Sequence, residues 1–491
     1  MRRSLSVLAC LVALSAAGFA FPVESLPGPT VNAHSFELLS NSRYSTHSGF
    51  QDSLPTEVLA NVLWAMNLAP RCGTFRDLYV ATPENIYIYR PGSNTLELHR
   101  AGDYRYSSGA AFEIGVATDR HEDAGYSIQV GLLAGAAFWD FGSGNVASCP
   151  MKWAADHANS NWNPDDEILM VNVFGRAAVD GLDSTLVAVS SDTSLPAPHT
   201  TGPDTIEIVL MALSEDTLFS SAGISLETAS QLLWSGYGPT AHRAYNGRRG
   251  LTVPSAVAAY HLAGHIYLVT GDGVDRYHCR LPGGSHNTAD HRLERVVTGD
   301  RRPELRLASD SIPSTAPAYV VVCVADTAPY RTMQEAGFAG FQMLVQARAM
   351  GLSGHLCAPL SPQEREDIGF ALDLPLNDFA AVVFAVGEPT TGVEEKDEPR
   401  AVEIVRAQPV IRPGTSLRIE YLLRRSGNVR VEVFDLLGRP VHLIFEERRS
   451  AGYHSVEWDG YIGNGRRVER GSYVIGIFGP GAVAQHKITV F

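Results

Sequence analysis

The apolar positions of this chain recur in two blocks. Residues 57–65, EVLANVLWA, carry apolar side chains at helical spacing and end on Leu63-Trp64. Residues 227–235, ETASQLLWS, repeat the string 170 positions later and end on Leu233-Trp234. Each predicts an amphipathic helix. Extended runs follow. Residues 78–82, LYVAT, match 266–270, IYLVT, at an offset of 188, and each leads through Tyr87 or Tyr277 to a proline, Pro91 or Pro282. β-Branched and aromatic runs with such turn residues predict a hairpin. Residues 111–119 and 318–326 predict a second strand at an offset of 207. Residues 123–126, DAGY, and 335–338, EAGF, open a second helix at an offset of 212, which Leu132 and Leu344, Asp166 and Asp378, and Gly175 and Gly387 all keep. The shared order of helix, strand, strand, helix, strand predicts a tandem repeat.

The copies differ between the first helix and the first strand. Copy one has only Pro70-Arg71-Cys72-Gly73 there. Copy two has a long insertion holding His242, Arg243, Arg248, Arg249 and Pro254-Ser255. A Pro-Ser turn running into small residues lets a flat ligand lie against the backbone, although the same string also suits an ordinary loop before a core strand. Arg248 and Arg249 suit either an anion or a solvated face. Tyr260 suits either a ring neighbour or the core. His261 and His265 have the i, i+4 spacing of a metal pair, but they precede a strand rather than ride on a helix, so no metal is expected.

Composition adds limits. The chain has 491 residues, 45% hydrophobic and 19% charged, enough for roughly three domains. A formal charge of -14 disfavours nucleic acid and anionic membrane as partners. Residues 1–20 have a basic start, an apolar stretch and a small-residue cleavage site, the pattern of a secretory signal peptide. Beyond them, Cys72, Cys149, Cys279, Cys323 and Cys357 are odd in number and form no C-x-x-C, so at least one thiol is unpaired and a thiolate metal site is disfavoured. No later stretch is long and apolar enough to span a bilayer. No G-x-S-x-G, H-E-x-x-H or Walker loop occurs.

Three strings resemble the flavin-dependent nitroreductase family, above all its SagB-type dehydrogenase branch. Residues 43–50, RYSTHSGF, resemble the family's opening Arg-x-Ser motif. Residues 254–260, PSAVAAY, resemble its Pro-Ser-Ala-Gly-Ala-Leu-Tyr turn, with Val257 in place of the glycine. The segments from Asp123 and from Glu335 resemble its long central helix, with Phe341 where copy one has Gln129. The resemblance covers about residues 36 to 390. It implies an α+β fold with a central mixed sheet, in which nitroreductase-like repeats 36–180 and 205–390 form a pseudo-dimer within one chain. It further implies FMN at the interface, with Arg43 and Ser45 of copy one at the phosphate and Pro254, Ser255 and Ala256 of copy two at the isoalloxazine edge. The opposite site lacks both motifs. Glu215 and Asp216 stand where Arg-x-Ser is expected and would repel a phosphate, so one flavin per chain is expected.

Residues 391–400 predict an acidic linker. Residues 401–491 alternate in short strands, the pattern of an immunoglobulin-like β-sandwich. Val433 to Arg439, Gly452 to Gly460 and Gly471-Ser472-Tyr473 resemble FlgD-like modules and the sorting domains of type IX secretion. This implies export, with secretion machinery as a partner. Two functions remain open: an exported FMN-dependent oxidoreductase with an unidentified small-molecule substrate, and a non-catalytic scaffold of the same fold displayed at the cell surface.

Overall fold

In the computed structural model the chain divides into two compact units, residues 1–390 and 391–491. The structure describes residues 23–46, 48–51, 53–138, 145–177, 195–243, 248–255, 259–280, 289–325, 330–390, 402–407, 410–411, 416–423, 426–435, 440–462, 465–468, 471–479 and 482–490. The expected signal peptide, the acidic linker, Ala256 and Val257 lie outside the described residues.

The larger unit begins β1 (Val23–Ser25), α1 (Phe36–Ser42), β2 (Phe50–Gln51), α2 (Thr56–Leu68), β3 (Arg76–Ala81), β4 (Asn85–Arg90), β5 (Thr95–Ala101), β6 (Phe112–Thr118), α3 (His121–Ala136), β7 (Asn145–Met151), α4 (Lys152–Asn161) and β8 (Ile168–Ala177). It continues with α5 (Ile206–Met211), α6 (Leu226–Tyr237), β9 (Pro239–Arg243), β10 (Arg249–Leu251), β11 (Ile266–Thr270), β12 (Gly273–Arg280), β13 (Ala289–Thr298), α7 (Arg302–Leu307), β14 (Ala318–Val324), α8 (Tyr330–Ala349), β15 (Ser353–Cys357), α9 (Pro362–Ala371) and β16 (Phe379–Gly387).

The repeat is plain in the strand order. The first sheet runs β1-β5-β4-β3-β6-β8-β2, with β7 also on β8, and the second runs β13-β12-β11-β14-β16-β15, so that β5-β4-β3-β6-β8-β7 has the second sheet's order and β1 and β2 are added edges. Both expected hairpins are present as β3–β4 and β11–β12. The expected mixed sheet is not seen. Every named strand pair in these two sheets is antiparallel: β3-β4-β5 and β11-β12-β13 turn back strand by strand, and β6 and β14 then run antiparallel beside β3 and β11.

Helices α3 and α8 pack against each other at the centre. A Cβ on Gly125 would lie 2.5 Å from the Gln334 carbonyl oxygen and 2.9 Å from the Gly337 Cα. One on Gly337 would lie 2.5 Å from the Glu122 carbonyl oxygen. These glycines are equivalent at the offset of 212, so the helices cross on a pseudo-two-fold axis. The helix caps repeat the relation. Ser35 and Thr205 are the N-caps of α1 and α5, and they form a β-bridge with each other. One hydrophobic cluster runs through both repeats and includes Val62, Leu132, Phe341 and Leu344. Burying each such side chain contributes about 1.5–3 kcal/mol. Gln129 donates to Gln342 Oε1 at 3.0 Å, and Gln342 donates to Ser40 Oγ at 2.6 Å, which ties the first repeat to α8.

The smaller unit contains β17 (Val402–Ala407), β18 (Val410–Ile411), β19 (Leu417–Leu423), β20 (Gly427–Asp435), β21 (Pro440–Arg449), β22 (Gly452–Trp458), β23 (Gly471–Gly479) and β24 (Ala482–Val490). They form sheets β17-β19-β22 and β18-β24-β23-β20-β21. Alternate residues of the two sheets, among them Ile419, Tyr421, Val431 and Ile475, bury a shared core, which makes a β-sandwich. Cys72, Cys149, Cys279, Cys323 and Cys357 are free thiols. Among the described residues no helix is long and apolar enough to cross a membrane.

Candidate functional site

Helix α1 of the first repeat delivers Arg43. Ser35 caps its start by accepting from Leu38 N at 3.2 Å, and Arg43 closes its end with an N–H donated to Leu39 O at 2.8 Å. The backbone then turns extended, and Ser45 bridges to Ser148 of β7. The Arg43 side chain donates from Nη1 to Ser45 Oγ at 3.1 Å. Its Nε is buried and has no hydrogen-bond partner among the described residues. Only 4% of Arg43 is exposed. Burial pulls its guanidinium down to about 10, while the nearby Tyr260 and Cys149 act the other way. Burial also pushes the Cys149 thiol up to about 12, with Arg43 opposing the shift.

The insertion of the second repeat comes to the same place. It forms the small sheet β10-β9, and Ala241 N donates to Asn41 Oδ1 of α1 at 3.3 Å. Thr240, His242 and Arg249 are buried. Arg249 Nε donates to Thr240 O at 3.1 Å, and His242 Nδ1 pairs with Thr240 Oγ1 at 2.8 Å. Burial holds the His242 imidazole down at about 3, aided by the charges of Arg43 and Arg249. Gly250 is required here, because a Cβ would stand 2.0 Å from His242 Nε2.

The Pro-Ser turn follows. Pro254 is buried, and Ser255 Oγ donates to Glu335 Oε2 of α8 at 2.7 Å. Tyr260 N donates back to Ser255 Oγ at 2.7 Å. Tyr260 has a φ of 54°, an uncommon value for a bulky residue that persists only where surrounding contacts hold it. Its hydroxyl accepts from Leu251 N at 3.0 Å, and the Arg280 guanidinium lies 4.5 Å from its ring centroid. Tyr260 is therefore both a core residue and a neighbour of Arg43. The structure thus gathers Arg43 and Ser45 from one repeat and Arg249, Tyr260 and Arg280 from the other.

The pseudo-equivalent place is built differently. Glu215 accepts from Leu356 N at 2.9 Å, and Asp216 accepts from Ser353 Oγ at 3.0 Å and donates its N–H to Gly354 O at 3.0 Å. Beside Asp123, Arg76 occupies the space with two bonds of 2.7 Å to the carboxylate. Phe341 lies in the central core against Tyr126, with ring centroids 6.5 Å apart. His265 pairs with Asp378 at 2.7 Å, and among the described residues no group of side chains is arranged to hold a metal ion.

Sequence reasoning missed three contributors. Arg280 ends β12, and only the hairpin geometry aims it at the turn. Glu335 was legible as a repeat match of Asp123 but not as the partner of Ser255. Phe50 and Phe219 were missed as a pair: a Cβ on Gly175 would strike Phe50 at 2.3 Å, and one on Gly387 would meet Phe219 at 3.4 Å.

No curated protein is similar to the chain in sequence. Residues 409–477 match the FlgD Ig-like domain family. A solved structure from Anabaena variabilis, assigned as a nitroreductase, aligns with a TM-score of 0.50 at 11% identity, over 73% of this chain and 100% of that one. A nitroreductase with bound FMN from Bacteroides fragilis aligns at 14% identity over 40% of this chain and 94% of its own, with a TM-score of 0.25. A structure from Ralstonia eutropha, assigned as a nitroreductase, aligns at 24% identity over 35% of this chain and 97% of its own, with a TM-score of 0.27. The fold assignment rests on the first of these, whose alignment is long enough to span both repeats. The larger unit therefore has the nitroreductase fold, and the smaller unit is a β-sandwich that matches the FlgD Ig-like domain.

Proposed function

We propose that the larger unit is an FMN-dependent oxidoreductase with one flavin site per chain, held by Arg43 and Ser45 of the first repeat and by Pro254, Ser255 and Tyr260 of the second. The observation that carries this is the buried Arg43 Nε, a charged donor without an acceptor among the described residues. A buried unpaired donor is costly, and a phosphate oxygen would satisfy it. Ser45 would add a hydroxyl, and Arg249 and Arg280 would add positive field. The second site has carboxylates in the corresponding place, which supports one flavin rather than two.

When bound, FMN would supply hydride chemistry, taking two electrons from a reduced donor or an oxidisable substrate and passing them to a second substrate. The chain's own part is to hold the phosphate at Arg43, to present the backbone near Pro254 to the ring, and to keep water out with Tyr260. A scaffold without flavin is the second function, favoured by the burial of Arg43 and Tyr260 under the chain's own side chains. Visible absorbance after titration with FMN separates them. A stoichiometric flavin band in the full-length protein is expected, with Arg43→Ala costing about 3 kcal/mol, on the order of 100-fold in affinity. A colourless wild-type protein would leave the scaffold.

The match to the FlgD Ig-like domain supports export, with residues 1–20 as signal and 401–491 as a surface-attachment or type IX sorting module. Cell fractionation tests this: deletion of 401–491 should leave the protein unattached to the surface.

A further inference from the structure

Asp123 and Glu335 hold the same place in the two long helices, at the offset that also pairs Gly125 with Gly337. Both are buried. Their surroundings are opposite. Asp123 is neutralised by Arg76 and also accepts from Thr118 Oγ1 at 3.1 Å and Cys72 N at 2.9 Å. That carboxylate is locked into the wall of its own repeat. Glu335 makes no ion pair among the described residues. Among the described residues its carboxyl bonds to the insertion segment and to the helix before it. Tyr237 OH donates to Oε1 and Ser255 Oγ donates to Oε2 at 2.7 Å, while the nearby backbone of His261 and Leu262 favours the ionised carboxyl.

The bonds close a circuit around the turn. Ser255 accepts from Tyr260 N at 2.7 Å, and Leu262 N donates to Tyr237 OH at 3.0 Å. Residues on both sides of the turn are thus held to one carboxyl group. Tyr260 stands between them with its φ of 54°, which these bonds oppose relaxing. Burying a carboxyl without a cation is unfavourable, and here burial pushes Glu335 up to about 7. A purely structural helix position would take an apolar residue or a paired one, as the first repeat does.

We propose that Glu335 is a positioning residue for the flavin site, fixing Ser255 and Tyr260 against Arg43 from behind without touching the ligand. This rests on the FMN function proposed above. It assigns to Glu335 the role of setting where the turn stands, and to Arg43 the role of holding the anion. Carboxyl bonds can do this because they fix both direction and distance, whereas an apolar contact at the same place would let the turn slide.

The test compares full-length wild type, Glu335→Gln, Ser255→Ala and Arg43→Ala by FMN titration, visible circular dichroism of the bound flavin, and amide exchange at Tyr260 and Leu262. Ser255→Ala keeps the test open if Glu335→Gln does not fold. Both variants should weaken FMN binding about tenfold, alter the sign or shape of the flavin dichroism, and speed exchange at the two amides at least tenfold, while β14 amides are unchanged. The double variant should bind FMN no more weakly than the worse single one, since both cut one circuit. A merely structural role would lower thermal stability and leave the flavin dichroism as in wild type, which overturns the proposal. So does unchanged FMN affinity in both variants when Arg43→Ala has lost the flavin. A wild-type protein that takes up no FMN refutes the proposed function, and this inference with it.

Discussion

Asp123→Asn tests how the first repeat closes its own end. Arg76 donates from Nε to Asp123 Oδ2 and from Nη2 to Oδ1, both at 2.7 Å, and the two side chains are 1% and 0% exposed. In the asparagine variant one oxygen becomes an NH2 that faces a donor, and the guanidinium keeps its full charge in a dry place. Removing one partner of a buried pair costs about 3–5 kcal/mol. Arg76 also serves the end of α2, where its Nη1 donates to Ala69 O at 2.8 Å and to Met66 O at 3.3 Å, and its Nη2 donates to Pro70 O. Arg76→Met therefore takes this donor from Ala69 O and Pro70 O, each worth about 1 kcal/mol, while Met66 O keeps Ser127 Oγ at 3.2 Å, and it also strands the carboxylate. The double variant strands neither charge, so its cost should fall at least ~2 kcal/mol short of the sum of the singles. Urea unfolding followed by tryptophan fluorescence reads this out. Trp162, buried with its Nε1 donating to Tyr104 O at 2.8 Å, reports on the larger unit. A cost under about 1 kcal/mol for Asp123→Asn, or strict additivity in the double variant, refutes the reasoning.

Gly125→Ala should destabilise by about 1–2 kcal/mol, since a Cβ 2.5 Å from a backbone oxygen forces the central helices apart by more than alanine's helix preference returns. Gly337→Ala should do the same, and a more stable variant at either position in the same urea assay would contradict a close two-fold crossing. His291 pairs with Ser230 Oγ at 2.7 Å and Tyr277 OH at 2.8 Å, and burial lowers it to about 4. The unfolded chain binds that proton near 6.5, so this contribution is complete above about pH 6.5 and is lost as pH falls towards 4. His291→Gln should flatten the acid side of the stability profile by up to about 3 kcal/mol, and an unchanged slope counts against it.

The parts of the fold legible in the sequence are those where one face of one element decides the pattern. The Leu63-Trp64 and Leu233-Trp234 helices, the hairpins and the alternating tail strands all carry their periodicity within about ten residues. Arg43 and Ser45 were visible as a string because both sit within three residues at a helix end. Contacts made between repeats were not legible. Gln129 reaching Gln342, Glu335 reaching Ser255 and Arg280 covering Tyr260 depend on how two distant segments dock, and no local spacing encodes that. The insertion reads as a loop because its strands β9 and β10 are short and stabilised by His242 and Arg249, residues whose polarity hides their burial. The mixed sheet expected from resemblance gave way to antiparallel pairing throughout, with β6 and β14 set beside β3 and β11, strands distant in sequence whose pairing no local pattern shows.

The crossing of α3 and α8 at Gly125 and Gly337 has a consequence for how such a chain can change. In a homodimer a single gene writes both halves, so any substitution is made twice and both sites inherit it. Here each half is written separately, yet the proposed flavin site borrows from both. A change in α1 or in the 239–262 insertion alters that place alone, while a change at the crossing disturbs both repeats at once. The tightest constraint thus falls on the two glycines themselves. They match across the repeats, while their neighbours Asp123 and Glu335 differ and copy one has nothing to match the insertion that carries Arg249.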